Sequence, residues 1–341
     1  ILLYKKMIRK IPFVVTVAGS DIEKVEETNY GLRLYKWENF KMREILMNSD
    51  AIVAPSTYAA ELVRELGVER DKVVIIPFGI DLDDLRKWHI SSYELTITKQ
   101  KLRLKPNAKI VLTLCRLHPK KGIKYLIYAL KKICDYDVML LVAGKGKEEN
   151  ALKRIARRLG LEHKVIFLGH VSERMKHILM EIADLYVLPS ISDTFPLSVL
   201  EAMAHGKPVI ITTRVGVSDL LQHYNFGLAV NPKDTDSLAE AIIRVLSDEN
   251  LREKMGNCAL RLMEALKYET AGTVEFLLDE NKNFYFMNII KNVDMLTLNL
   301  GCGESKKGNI RLDIRKTSAV NIIADAHHLP FRDEVFDQVF A

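Results

Sequence analysis

Apolar and polar positions over the first eighty residues fall into two alternating patterns. Short apolar runs at Phe13 to Val17, Ala51 to Ala54 and Val73 to Ile76 read as strands. Between them lie a helical stretch near Leu32 to Asn48 and another that Ser56 opens and Gly67 closes. The alternation returns further on, with β-rich runs at Ile110 to Leu114, Val138 to Ala143, Val165 to Leu168, Leu185 to Leu188 and Val209 to Thr212. Helical patterns such as Ile123 to Lys132 separate these runs. Strand and helix in alternation predict parallel, doubly wound sheets, so the fold class is α/β with two such domains. Leu82 to Asn107 carries no strong period and reads as a connection. The boundaries follow as a first domain over 1–81, a connection over 82–107, a second domain over 108–267, a linker over 268–293 and a new strand-like pattern over 294–341.

The most informative stretch runs from Pro189 to Ile210 and reads as loop, short helix and strand. Pro196 suits a first helical turn, Gly206 a helix exit, and Pro208 prevents continuation. Two carboxylates, Asp193 and Glu201, straddle that helix N-terminus. Glu201 sits in an otherwise apolar run, Val199 to Ala204, whose small residues leave room for a ligand. Taken alone, Asp193 reads as a helix cap and Glu201 as part of a wetted stripe. In open α/β sheets ligands bind beyond the carboxyl ends of the strands. The end of another such strand carries Cys115-Arg116-Leu117-His118-Pro119-Lys120-Lys121-Gly122, followed by a helix. A fork-shaped Arg, a Lys and a helix N-terminus together suit the spread negative charge of a diphosphate.

Composition narrows the field only a little. Length sets a prior of about two domains, and 48% hydrophobic with 28% charged residues are ordinary for a globular protein. No apolar run reaches the length of a membrane span and no charged-then-apolar leader opens the chain, which makes the cytoplasmic side the expectation. The four cysteines, Cys115, Cys134, Cys258 and Cys302, lack metal or redox spacing and read as reduced core thiols. The net charge of +6 is modest. The cluster Lys153, Arg154, Arg157 and Arg158 reads as the solvated face of a helix, with a peripheral contact at the inner face of a membrane as the competing reading. Nucleic acid is not expected as a partner, because no aromatic residues interleave with the basic ones. Asp234-Thr235-Asp236 reads as a helix cap rather than a metal site.

Asp193 and Glu201 in their setting resemble the acid-x7-acid signature of family 4, or group 1, glycosyltransferases, and Arg116 to Gly122 matches that family's Arg-x4-Lys-Gly motif. The resemblance covers roughly Ile11 to Lys267. It implies the GT-B fold, two Rossmann-like domains with the active site in the cleft between them. It also implies a nucleotide-sugar donor, transfer with retention, no metal and no cofactor. Arg116 and Lys121 inherit the diphosphate, Asp193 the donor sugar and Glu201 the ribose. Phe195, Pro196 and Leu197 complete the donor side, Val171 belongs to the segment, Phe167 to Val171, whose backbone meets the base, and Gly19 belongs to the strand end facing the cleft. Asp193 stands where the family usually has Glu, and Ala18 where many relatives have His. Val215-Gly216-Val217-Ser218-Asp219 resembles the Gly-Gly-x-Pro-Glu turn of relatives in Gly216 and one acid only. His118 and His170 are not assigned catalytic roles. The acceptor, a glycan, a lipid-linked sugar or a small molecule, stays open.

Leu296 to Gly303, with Ile310 to Ile314 and Ile322 to Asp325, resembles the opening of a class I methyltransferase. That likeness implies S-adenosylmethionine at Gly301, Gly303, Asp313 and Asp325, although Gly303 to Ile310 is short for a crossover helix. The chain opens at Ile1 within an apolar run and closes at Ala341 within a strand-like one, so a fragment is expected, without the Gly-rich turn that helps shape the acceptor side in relatives. A nucleotide-sugar epimerase, a methyltransferase with an appended glycosyltransferase-like domain and a non-catalytic nucleotide-sugar-binding module remain alternatives.

Overall fold

A computed structural model describes residues 14–266 and, beyond them, the backbone pairing of four short strands. The chain divides into two compact units, 13–266 and a second formed by 1–12 with 267–341.

The larger unit holds two parallel sheets. The first contains β1 (Val14–Thr16), β2 (Ala51–Ala54) and β3 (Val73–Ile75) in the order β1-β2-β3. Its core gathers Val17, Ile22, Ile52 and Ala54 with Ala59, Ala60 and Val63 of helix α2 (Thr57–Arg64). Ser56 caps α2 by accepting from the Ala59 amide, as a serine before an apolar period should. The stretch before β2 is a short 3₁₀ turn, Leu32–Leu34, followed by helix α1 (Lys36–Met47). The single helix expected from Leu32 is interrupted because this turn packs closely: Gly31 has φ +107° and a Cβ there would lie 1.9 Å from the Glu23 carbonyl.

The region from Leu82 to Asn107 is not featureless. It holds α3 (Leu82–Arg86) and α4 (Ser92–Lys101), and α4 is fixed by a capping box in which Ser91 and Glu94 satisfy one another's amides. Apolar periodicity misses α4 because its order comes from the cap and an ion pair from Glu94 to Arg174 (2.6 Å), not from an apolar stripe.

The second sheet has β4 (Lys109–Leu114), β5 (Val138–Ala143), β6 (Val165–Gly169), β7 (Leu185–Leu188), β8 (Val209–Thr212) and β9 (Gly227–Val230) in the order β6-β5-β4-β7-β8-β9. Every pairing is parallel. Strand β5 is buried throughout, its alternate residues entering different cores: Met139, Leu141 and Ala143 one, Val138, Leu140 and Val142 the other. Helices α5 (Ile123–Lys132), α6 (Glu149–Arg158) and α9 (Thr235–Ser247) join the second of these cores. Helices α7 (Glu173–Ile182), α8 (Leu197–Ala204) and α10 (Glu249–Leu266) supply residues to the first. A sheet buried on both faces explains the continuous apolar strand runs. The edge strand β9 escapes the apolar-run reading because only one of its residues, Val230, is buried.

In the smaller unit, Phe276–Leu278 pairs with Phe284–Phe286 and Thr297–Asn299 with Asp313–Arg315, both antiparallel. This corrects the methyltransferase expectation, which needs Leu296 to Leu300 and Ile310 to Ile314 parallel. An antiparallel pair is made without the crossover helix of a βαβ unit, which that expectation requires. Asp313 stands across from Asn299 in that pair. Gly301, Gly303 and Asp325 lie outside the described residues.

Candidate active site

Counted from its own first strand, the second sheet has the order 3-2-1-4-5-6, and its strand order reverses between β4 and β7. A crevice opens at such a reversal, outside the carboxyl ends of the strands. The loop after β4 carries Arg116 to Gly122, and the loop after β7 carries Pro189 to Pro196. Both motifs singled out by sequence therefore meet at one place.

The first loop is shaped by a 3₁₀ turn, Pro119–Lys121, whose cap is His118. The His118 Nδ1 atom accepts from the Lys120 amide at 3.2 Å. Burial, and then the charges of Lys147, Arg116, Lys120 and Lys121, push the His118 pKa down to about 4. The ring is therefore neutral near pH 7, and with its pKa so far below that pH it is too weak a base to serve as a general base there. Gly122 follows with φ +66°, and a Cβ on it would lie 2.1 Å from the Pro189 carbonyl. Only glycine lets the two loops approach this closely. The Ile191 amide donates to the Lys120 carbonyl at 2.7 Å, tying the loops by backbone.

Arg116 is exposed, and its guanidinium makes no ion pair or hydrogen bond among the described residues. Lys121, part-buried, pairs with Asp193 Oδ2. Burial works against the charge on Lys121, yet Asp193 and its other neighbours more than offset it and the pKa is raised. Asp193 is itself buried. It does not cap α8: its carboxylate takes Lys121, with Ser190 Oγ 3.5 Å away, while its backbone bridges to Arg214 and Gly216. Cys115, beside Lys121 and Asp193, is pushed up to about 12 by burial and is no nucleophile.

Helix α8 begins after Pro196, its N-cap, and leaves through Gly206 at φ +64°. Phe195 is buried and meets Phe78 edge to face, ring centroids 5.8 Å apart. Leu197, the first residue of α8, is 45% exposed, an apolar surface at the mouth of the crevice. Glu201, one turn on and half-buried, accepts from Lys176 Nζ of α7 at 2.7 Å. Val171 lies beyond the end of β6, packed against the first core.

The first sheet reaches the same place. Thr194 Oγ1 donates to the Ala18 carbonyl at 2.7 Å, beside Gly19. Ser56 Oγ donates to the Thr194 carbonyl at 2.8 Å. Ala18 is exposed and brings no imidazole. Glu23, fully buried, accepts from Lys120 Nζ at 2.5 Å and from Ser192 Oγ, while Tyr58 OH is 2.9 Å from that same serine oxygen. Glu23, Lys120, Ser192, Tyr58 and Lys176 were not legible as site residues. Only the Lys120-Lys121 doublet hinted at any of them.

The arrangement, then, is a parallel-sheet crevice that offers one exposed guanidinium, one half-buried ammonium and two carboxylates about a short helix. Residues 96–261 match the family model described as glycosyl transferases group 1, and residues 1–84 the one described as Glycosyltransferase Family 4. A group 1 glycosyltransferase domain is thus present in this chain.

Among curated relatives, the chain is 34% identical over 213 residues to an uncharacterized glycosyltransferase of Methanocaldococcus jannaschii, covering 61% of this chain and 53% of that protein. It is 26% identical to a mannosylfructose-phosphate synthase of Agrobacterium fabrum, covering 84% of this chain and 66% of that protein. The chain thus spans between about half and two thirds of these relatives' length. Among solved structures, Anabaena HepE in complex with UDP and glucose superposes with a TM-score of 0.64 at 23% identity, covering 74% of this chain and 67% of that one. Sucrose-phosphate synthase from Thermosynechococcus elongatus gives 0.65 at 23% identity, covering 78% and 66%. These likenesses establish an α/β fold of the GT-B kind with parallel sheets.

Proposed function

We propose that this chain is a glycosyltransferase that takes its sugar from a nucleoside diphosphate sugar and transfers it with retention. The observation that carries the reading is the convergence of Arg116, Lys121 and Asp193 at the switch point of a parallel sheet. Charge builds on the departing diphosphate as the glycosidic bond breaks, so cations placed at that end stabilise the transition state more than the ground state. Arg116 offers two parallel hydrogen bonds to phosphate oxygens. Lys121 offers a single charge already oriented by Asp193, and Asp193 faces the sugar end. Glu201 accepts from the ribose hydroxyls while Lys176 holds its carboxylate in place, and Phe195, Pro196, Leu197 and Val171 flank the nucleotide.

Uridine is the first base to test, since the Anabaena neighbour is a complex with UDP. The reading extends neither to nucleic acid nor to S-adenosylmethionine. The described basic helix α6 has Lys153 paired with Glu149 and Arg157 with Glu162, which favours a solvated face there. A peripheral membrane contact fits α1 better, where Tyr35, Trp37 and Phe40 are all more than half exposed beside Lys36 and Lys41. No helix among the described residues is long and apolar enough to cross a membrane.

The experiment is to incubate the chain with UDP-, GDP- and ADP-sugars and a panel of glycan, lipid-linked and small-molecule acceptors. Release of one nucleoside diphosphate with formation of an α-linked product from an α-linked donor supports the reading. Interconversion of donor sugars without acceptor would mean an epimerase, and donor binding without turnover a binding module.

A further inference from the structure

Lys120 and Lys121 leave the same short turn side by side, yet carboxylates from different sheets claim them. Lys121 pairs with Asp193, which follows β7 of the second sheet. Lys120 pairs with Glu23, which follows β1 of the first sheet. Both members of the Glu23–Lys120 pair are buried, with side chains 0% and 5% exposed. Lys120 Nζ also lies 4.0 Å from the centre of the Tyr30 ring. The second Glu23 oxygen accepts from Ser192, the residue before Asp193, and Tyr58 closes the chain of bonds from α2.

A buried carboxylate this close to a diphosphate site needs its own cation. Glu23 is near enough to contribute to the raised pKa of Lys121. Without Lys120, the carboxylate of Glu23 still acts on the charge of Lys121.

We propose that Glu23 and Lys120 form a positioning latch: the pair fastens the first sheet to the diphosphate turn and neutralises Glu23, so that Lys121 stays with Asp193 and the donor. The proposal rests on the donor-site reading. Neither residue is assigned contact with substrate. They act through Lys121 and through the closeness of the two halves.

The charges give this role a signature that a purely structural one lacks. Lys120→Met strands Glu23, draws Lys121 away from Asp193 and brings an unpaired negative charge toward the diphosphate. Glu23→Gln does the opposite and leaves an extra ammonium beside it. The affinity of the full chain for UDP, GDP and ADP is measured by calorimetry for wild type, both single variants and the double variant, below the melting point of each. Lys120→Met is expected to weaken binding of the accepted nucleotide roughly tenfold or more, the scale of one charged hydrogen bond. Glu23→Gln should bind at least as tightly as wild type, and the double variant should return to within about twofold of wild type, the margin within which uncoupled changes add. Equal weakening by both single variants, or no change in either, would overturn the proposal.

If Lys120→Met does not fold, Glu23→Gln against the double variant decides. Only Glu23→Gln keeps the unpaired Lys120, so it must bind more tightly, and equal affinity overturns the role. Hydrogen exchange reads the fastening separately. Peptides spanning Gly19 to Gly31 and Ser190 to Pro196 should exchange faster together in Glu23→Gln, and unchanged protection sinks the latch. A wild-type chain that binds none of the three nucleotides contradicts the donor-site reading itself, and hydrogen exchange then still decides the latch.

Discussion

Arg116 and Glu201 make separable claims at the level of single side chains. Arg116 is exposed and unpaired among the described residues, so its removal disturbs little of the fold. Arg116→Ala should lower turnover about 100-fold while the melting temperature stays put, since losing one positioned stabilising donor typically costs that much. Glu201→Gln should weaken nucleotide binding roughly tenfold as well, but with a smaller effect on turnover than Arg116→Ala. A third residue governs acid behaviour. His177 stacks on Trp88, lies 2.9 Å from His205 Nε2, and is pushed down to about 4 by burial first and then by His205 and Lys176. In the unfolded chain its ordinary value is about 6.5, so between about 6.5 and about 4 the unfolded state takes up a proton that the folded state refuses. Stability should therefore fall as pH drops through that window. His118, shifted the same way, adds to the fall. Melting curves of His177→Gln should show a shallower decline, and an unaltered slope would remove His177 from this account.

Elements show where reading the chain succeeds and where it stops. The strands of the second sheet, β5, β7 and β8 above all, fall on the residues read from apolar runs, because burial on both faces writes itself into every position. The cap reading of Asp234 also holds: its carboxylate accepts from the Ser237 amide at 3.0 Å and opens α9. Asp234→Ala should lower the denaturant midpoint by the loss of this cap and leave nucleotide binding alone. What was not legible has physical causes. Helix α4 is ordered by its cap and not by a stripe, and the 3₁₀ turn before α1 by the close approach at Gly31. The antiparallel pairing at Asp313–Arg315 was not legible either, because apolar runs do not distinguish a parallel from an antiparallel neighbour.

Across the whole molecule, the two motifs separated by some seventy residues come together only because the strand order of the second sheet reverses between β4 and β7. That topology was implied by the resemblance and not by periodicity, which cannot order strands. The cross-sheet contacts were less legible still. Glu23 is an ordinary acid in the sequence, and its burial depends on Lys120, which lies 97 residues away. Removing one partner of a buried ion pair costs about 3 to 5 kcal/mol, while removing both costs much less. Glu23→Gln with Lys120→Met should accordingly melt above the Lys120→Met single variant.

The most direct test of the donor site is calorimetric titration of UDP, GDP and ADP into the wild-type chain and into Arg116→Ala. Saturable binding of one diphosphate, weakened tenfold or more by the substitution, is the predicted result, on the scale of a lost charged hydrogen bond. Binding of the same nucleotide with unchanged affinity in Arg116→Ala would contradict the placement of the diphosphate at the switch point, and with it the central reading of this site.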